Sequence, residues 1–162
     1  MPRYFYDAEF GRTAPDVTLI SIAVVCEDGR EFSAVSSEWN PLEVHPWVRD
    51  NVLPQLPPAA TWQSRAVIRA ELETFLGHDP VLWAWYGAYD HVAMAQLWGD
   101  MTALPRAIPR FTLDVRQLWE HLGCPPLPKQ ASGLHDALAD ARHVKVKWEA
   151  LAEKAYLLGL SV

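Results

Sequence analysis

The stretch Val17-Thr18-Leu19-Ile20-Ser21-Ile22-Ala23-Val24-Val25-Cys26, with Glu27-Asp28-Gly29-Arg30 behind it, decides the reading of the fold. A near-continuous aliphatic and β-branched run of this kind suits a central strand buried on both faces. The Asp-Gly pair that follows is a hairpin signal, because glycine accepts the positive φ of a tight turn. The chain is therefore expected to return as a strand from Glu31 to Ser36. Upstream, Arg3 to Phe10 is rich in aromatics and reads as another strand. The first third of the chain is thus an antiparallel meander of three strands.

Past the meander the period becomes helical. Ser64 to Leu76 places Val67, Ile68, Leu72, Phe75 and Leu76 at helical spacing, and Gly77 ends the run. Val81 to Trp85 reads as a short strand and Tyr89 to Leu97 as a helix. Pro105 and Pro109 bound a loop, and an extended piece is expected around Arg110-Phe111-Thr112. Val115 to Leu122 is helical and is closed by Gly123 with Pro125 and Pro126 beyond, the usual helix-stop chemistry. A last helix runs from about Leu134 to about Leu158. The Pro-rich stretch from Leu53 to Ala60 reads as a surface loop, since neither side of it is large enough to be a separate domain. The order βββ-α-β-α-β-α-α describes an α/β mixed sheet flanked by helices, a ribonuclease H-like layout, as a single domain over 1–162.

Composition narrows the class. The 162 residues fall within the range of about 100–200 expected of one domain, and a chain this size buries about 70% of its unfolded surface. Hydrophobic residues at 50% and charged residues at 21% exclude disorder, collagen and coiled coil. No apolar run approaches the roughly 18 residues of a membrane span. The N-terminus meets Asp7 before an apolar signal-peptide core can form, so a cytoplasmic protein without membrane attachment is expected. Cys26 and Cys124 lie far apart and outside any CxxC pattern, which indicates two buried thiols and neither a disulfide nor a zinc site. A net charge of -6 and a pI near 5.4 argue against a protein that coats duplex nucleic acid with a basic face. They leave room for a nuclease that holds phosphates through metal ions. Ten of the 14 basic residues are Arg, a bias that suits planar phosphate contacts. The eight Trp residues are expected mostly in the core, with one or two free to stack on bases.

Three fragments carry chemistry. In Asp7-Ala8-Glu9 the two carboxylates lie at i and i+2 of a strand and project from one face. Two acids beside buried aromatics are costly unless something pairs them; the alternative is a solvent-facing edge. Asp90 follows a short apolar strand and opens a helix, where an N-cap is the competing role. In His135-Asp136-Ala137-Leu138-Ala139-Asp140 the histidine and Asp140 share a face only if His135 stands in the loop before the helix, which Ser132-Gly133 permits. Asp136 and Asp140 are at i and i+4, so Asp136 rivals Asp140, although a first-turn acid favoured by the helix dipole is the preferred reading of Asp136. Four carboxylates are the hard oxygen ligands that Mg²⁺ takes. Two such ions about 4 Å apart clamp the attacking and leaving oxygens of a phosphoryl displacement, and histidine titrates where it can accept a proton from water.

Asp7-Ala8-Glu9, Asp90, and His135 five residues before Asp140 resemble, in order and spacing, the three motifs of the DEDD superfamily of 3′–5′ exonucleases, His subgroup. The resemblance covers nearly the whole chain. More narrowly, Tyr4 to Phe10, Leu82 to Ala93, Met101 to Pro105 and His135 to Arg142 look like the actinobacterial polyadenylate-specific 3′-exoribonucleases, the AS group. The wider superfamily has Asn four residues before the second-motif Asp, where this chain has Tyr86, a change that bears on substrate choice. The resemblance implies a ribonuclease H-like fold and two Mg²⁺ ions (or Mn²⁺) held by Asp7, Glu9, Asp90 and Asp140. It implies His135 as general base, and water attack on the 3′-terminal phosphodiester of single-stranded, adenylate-rich RNA to release a nucleoside 5′-monophosphate. It also implies a homodimer. Phe10 is the leading candidate to stack on a terminal base, with core packing as its alternative, and Ala8 beside it is a further substrate contact. Trp83, Trp85 and Tyr89 are read as core. Arg12 and Arg110 are read as solvated surface residues rather than phosphate contacts.

Two other functions fit the same residues. One is the same chemistry on DNA ends, in repair or proofreading; the 2′-hydroxyl separates it from RNA hydrolysis, and no residue here reads that group. The other is a silent nucleic-acid-binding module, whose signature would be a lost carboxylate or histidine, and all five are present.

Overall fold

In the computed structural model, which describes residues 1–161, strands β1 (Arg3–Phe10), β2 (Leu19–Cys26) and β3 (Glu31–Val35) form the expected antiparallel meander. Gly29 turns the hairpin between β2 and β3 at φ 91°, a conformation that strains other residues. Every residue of β2 is buried, as its apolar run requires. Strand β4 (Val81–Ala84) adds parallel to β1, and the two-residue β5 (Leu113–Asp114) adds parallel to β4. The sheet order is β3-β2-β1-β4-β5. With helices on its faces, this mixed sheet is the ribonuclease H-like α/β architecture expected from the element order.

Among the described residues five α-helices accompany the sheet: α1 (Pro46–Asn51), α2 (Arg65–Leu76), α3 (Ala88–Ala95), α4 (Val115–His121) and α5 (Ala137–Leu157). The alternation of β1 divides them. Tyr4, Tyr6 and Ala8 face a core that includes Ile68, Leu72 and Leu76 of α2 and Ala93 and Met94 of α3. Phe5 points the other way, toward Val115 of α4 and Val144 and Leu151 of α5. On that second face Ala23 and Val25 of β2 meet Ala137 and Ala141. Small residues in the first turns of α5 thus let it lie close over the centre of the sheet. Each fully buried Leu or Phe in these clusters contributes about 1.5–3 kcal/mol.

Several expectations shift. The extended piece lies at Leu113–Asp114 rather than Arg110–Thr112, because the Thr112 hydroxyl is bound to Tyr6 and His91 before the chain can enter the sheet. Helix α1 has no counterpart in the sequence pattern: it lacks apolar periodicity and starts instead from Pro46 at its first turn and a cap by His45 Nδ1 on the Trp47 N–H. Parts of the Pro-rich loop form short 3₁₀ turns at Leu53–Gln55 and Ala59–Thr61. Cys26 is buried, but Cys124 is exposed, at φ 57° in the turn that ends α4. Of the eight Trp residues only Trp83 is fully buried, six are half-buried, and Trp47 is 48% exposed. Among the described residues no helix is long and apolar enough to cross a membrane.

Strands β1 and β4 differ in length, and the difference opens one end of the sheet. The last pair between them is Phe5 with Trp83, so β1 runs on past its parallel neighbour. Residues 7–10 therefore have β2 on one side and no strand on the other.

Candidate active site

The open end of β1 carries the first two acids. Asp7 stands opposite Ala23 and Glu9 opposite Ser21 in the register with β2, and both share the face of Phe5. On the side that β4 leaves free, the Ala8 N–H donates to Asp90 Oδ1 at 2.8 Å. Asp90 is the third residue of α3, not its cap; Gly87 holds the cap position, and Asp90 is only 6% exposed. A Cβ at Gly87 would lie 2.9 Å from Thr112 Cγ2 and 3.0 Å from Ala84 Cβ, so only glycine lets α3 start this close to the sheet. The Thr112 hydroxyl meets Tyr6 Oη at 2.5 Å and His91 Nδ1 at 3.1 Å, which pins the first turn of α3 to β1.

The remaining two groups come from the entry to α5. Gly133 at φ 73° and His135 at φ 66° curl the chain so that His135 stands outside the helix, the arrangement that the spacing to Asp140 requires. Asp136 is the N-cap, its Oδ1 accepting the Ala139 N–H at 2.8 Å. Asp140 Oδ2 accepts the His135 N–H at 2.9 Å, and Gln130 Nε2 donates to Asp140 Oδ1 at 2.5 Å. Donor atoms of Glu9, His135 and Asp140 lie within 4.8 Å of one another. The Trp47 ring meets the His135 ring edge-on, centroids 4.7 Å apart. The structure thus brings Asp7, Glu9, Asp90, His135 and Asp140 to one end of β1 and assigns Asp136 to capping.

Crowded negative charge dominates the electrostatics. The Asp7 carboxyl is held well above the usual range, first by loss of water and then by Asp90, Glu9 and Asp140; Lys147 opposes the shift. Glu9 is pushed up to about 8 by burial and by Asp140, Asp90 and Asp136. Asp90 is pushed up to about 7 by burial, against hydrogen bonds from the Ala8 N–H and its own backbone N–H that favour its charged form. Acids in this condition either hold protons or await cations. Their hard oxygen donors, with histidine alongside, are of the kind that hold a divalent ion of the Mg²⁺ or Mn²⁺ type.

Sequence reasoning missed four neighbours. Half-buried Lys147 sits on α5 with its Nζ 4.0 Å from the Trp85 ring centroid and acts on both Asp7 and Asp140. It lies seven residues, about two helical turns, beyond Asp140, and that spacing was the signal available. Gln130, Trp47 and Asp114 reach the region from loops and short elements, and no periodicity marked them. Asp114 caps α4 and also accepts the Tyr86 N–H.

The proposed substrate contacts divide. Phe10 is half-buried, packing on the core while its ring meets Tyr89 at 5.9 Å. The Ala8 methyl is buried in the core and its N–H is taken by Asp90, which leaves its carbonyl as the group facing any ligand. Trp83 is core as expected and Trp85 is half-buried. Tyr89 is not: it is 53% exposed, because the first turn of α3 lies at the surface beyond the end of β4. Arg12 is engaged by Asp16 and Glu43, and Arg110 by the Leu104 carbonyl.

No protein-family profile matches the chain. A 3′-5′ exoribonuclease of Mycobacterium tuberculosis, found in two strains, is 58% identical to it over 86% of this chain and 87% of the relative. Among solved structures, the crystal structure of cell-death related nuclease 4 is similar with a TM-score of 0.53 and 11% identity. That match covers 98% of this chain but 64% of the nuclease, so this chain spans less than two thirds of its length. At such low identity the likeness speaks for the fold alone.

Proposed function

The chain belongs to the family of the mycobacterial 3′-5′ exoribonucleases that it is similar to, and from that premise we propose that it is a divalent-metal-dependent 3′–5′ exoribonuclease. Its substrate is the 3′ end of single-stranded, adenylate-rich RNA, and its product a nucleoside 5′-monophosphate. One observation carries the reading: four acids and a histidine from β1, α3 and the entry to α5 converge where β1 outruns β4.

Asp7, Glu9, Asp90 and Asp140 would hold the ions. When bound, two divalent cations supply charge stabilisation at the phosphoryl group and favour ionisation of water. The chain's own residues do the rest. His135 accepts the proton of the attacking water at a ring nitrogen, and the Asp140 carboxylate fixes its position through the His135 N–H. Gln130 in turn holds Asp140. Phe10 and Tyr89, half-buried and exposed, present aromatic surface beside the carboxylates on which the terminal base stacks. A homodimer belongs to the same reading: Tyr156, Leu157 and Leu158 at the end of α5 are exposed, apolar surface of the kind a second copy covers.

The test is a gel assay of 5′-labelled oligoadenylate RNA and its DNA counterpart with Mg²⁺, with Mn²⁺ and with chelator. The expected result is a ladder shortening from the 3′ end of RNA, lost in chelator and lost in Asp7→Asn. DNA shortened as readily as RNA would move the assignment to an exodeoxyribonuclease. Undiminished RNA degradation by Asp7→Asn would overturn the site.

A further inference from the structure

Thr112 joins two elements of the carboxylate site without belonging to either. It stands just before β5, yet its hydroxyl lies 2.5 Å from Tyr6 Oη on β1 and 3.1 Å from His91 Nδ1 on α3. Its Cγ2 methyl fills the space that a side chain at Gly87 would need. His91 directly follows Asp90, and Tyr6 directly precedes Asp7. Resting on the metal-dependent exoribonuclease reading, we propose that Thr112 is a positioning residue of the active site: its hydroxyl ties α3 to β1 and so holds Asp90 in the place relative to Asp7 that a divalent cation requires.

Donor and acceptor accounting gives this chain of hydrogen bonds its direction. Tyr6 is fully buried, and among the described residues Thr112 is the one hydrogen-bond partner of its hydroxyl. A buried O–H left unpaired is costly, so Tyr6 donates to Thr112 Oγ1. The Thr112 proton then goes to His91 Nδ1, which accepts it. The other ring nitrogen of His91, Nε2, is buried without a well-formed hydrogen bond among the described residues. Thr112 is therefore the polar contact that orients the imidazole. Asp90, for its part, accepts the Ala8 N–H at 2.8 Å on Oδ1. Two tethers thus run from Tyr6 and Ala8, on one strand, to His91 and Asp90, adjacent on one helical turn. With the Ala8 bond alone the turn could pivot about Asp90, and the path through Thr112 removes that freedom. Mg²⁺ demands nearly ideal octahedral geometry whereas Ca²⁺ accepts a flexible one, so a pivoting Asp90 harms Mg²⁺ binding more than Ca²⁺ binding.

The test is scanning calorimetry of the RNA-free protein in chelator and at rising Mg²⁺ or Ca²⁺, where the gain in Tm with concentration reports the affinity of each ion. Thr112→Val keeps the shape of the side chain and removes the hydroxyl, whereas Thr112→Ser keeps the hydroxyl. Thr112→Val should weaken Mg²⁺ binding about tenfold, the scale of a support lost from behind a metal ligand, and Ca²⁺ binding by less. Thr112→Ser should bind both ions as wild type does. Tyr6→Phe breaks the chain at its other end, should give the same loss for Mg²⁺, and serves if Thr112→Val fails to fold. A lower Tm in chelator with both affinities unchanged would make Thr112 a residue of stability alone and overturn the proposal. So would a loss equal for the two ions, or a Thr112→Ser variant that binds no better than Thr112→Val. A wild type whose Tm no divalent cation raises refutes the metal requirement of the proposed function instead, and the positioning role falls with it.

Discussion

Replacing Glu9 by Gln should stabilise the metal-free protein. Burial and three neighbouring acids raise this carboxyl from 4.5 to about 8, so the native state holds a proton that the unfolded chain releases. A folded-state value above the unfolded one means that the associated stability is complete below the ordinary carboxylate range and is lost as pH rises through about 8. With each unit equal to about 1.4 kcal/mol, the native state is disfavoured at neutral pH by about 3 kcal/mol. Water on the open side of the half-buried group screens part of this, leaving about 2 kcal/mol. Glutamine keeps the shape and has no proton to retain. For a chain of this length the gain corresponds to about 4–8 °C in Tm. Calorimetry in chelator should show the variant and wild type melting nearly together at about pH 5 and furthest apart at about pH 8. Adding Mg²⁺ should raise wild type more than the variant and narrow the gap. A variant that melts at or below wild type at the higher pH in chelator would refute the electrostatic argument.

Gly87→Ala forces a methyl group against Thr112 and Ala84 and should cost about 1–3 kcal/mol in chemical denaturation; RNA hydrolysis should fall further than stability, since the displaced turn carries Asp90. Asp136→Ala removes the α5 cap and should lower Tm by about 2–4 °C, from about 1 kcal/mol of lost capping. Lys147→Met removes a cation that acts on Asp7 and Asp140. The Mg²⁺ concentration for half-maximal hydrolysis should then drop about fivefold, the effect of about 1 kcal/mol of relieved repulsion.

The parts of this fold that announce themselves in sequence are those governed by local periodicity. The apolar run of β2, the hairpin at Gly29 and the capped helix from Ser64 to Gly77 each arise from neighbours along the chain. Helix α1 escapes because it rests on a proline start and a histidine cap, with no apolar stripe to betray it. The exposure of Tyr89 escapes because it depends on where β4 stops relative to β1, a tertiary fact. The same division runs through the site. Asp7 with Glu9, and His135 with Asp140, are visible as short spacings on single elements. That Asp90 holds the Ala8 amide, or that Gln130 and Trp47 close around Asp140 and His135, depends on segments distant in sequence. Lys147 lies between these cases, marked by its spacing from Asp140 and given meaning only by the docking of α5 onto β1.

That docking also sets an order in time. Helix α5 brings Asp140 and the His135 turn, and it covers Phe5, Ala23 and Val25 in the same movement. During translation the meander with Asp7 and Glu9, and then α3 with Asp90, leave the ribosome before α5 is made, so the nascent chain carries three acids without Asp140 and His135. Closure of the sheet face that α5 covers and completion of the carboxylate cluster therefore both depend on the docking of α5. An RNA-degrading enzyme folded in this sequence has no half-built active form beside the message that encodes it.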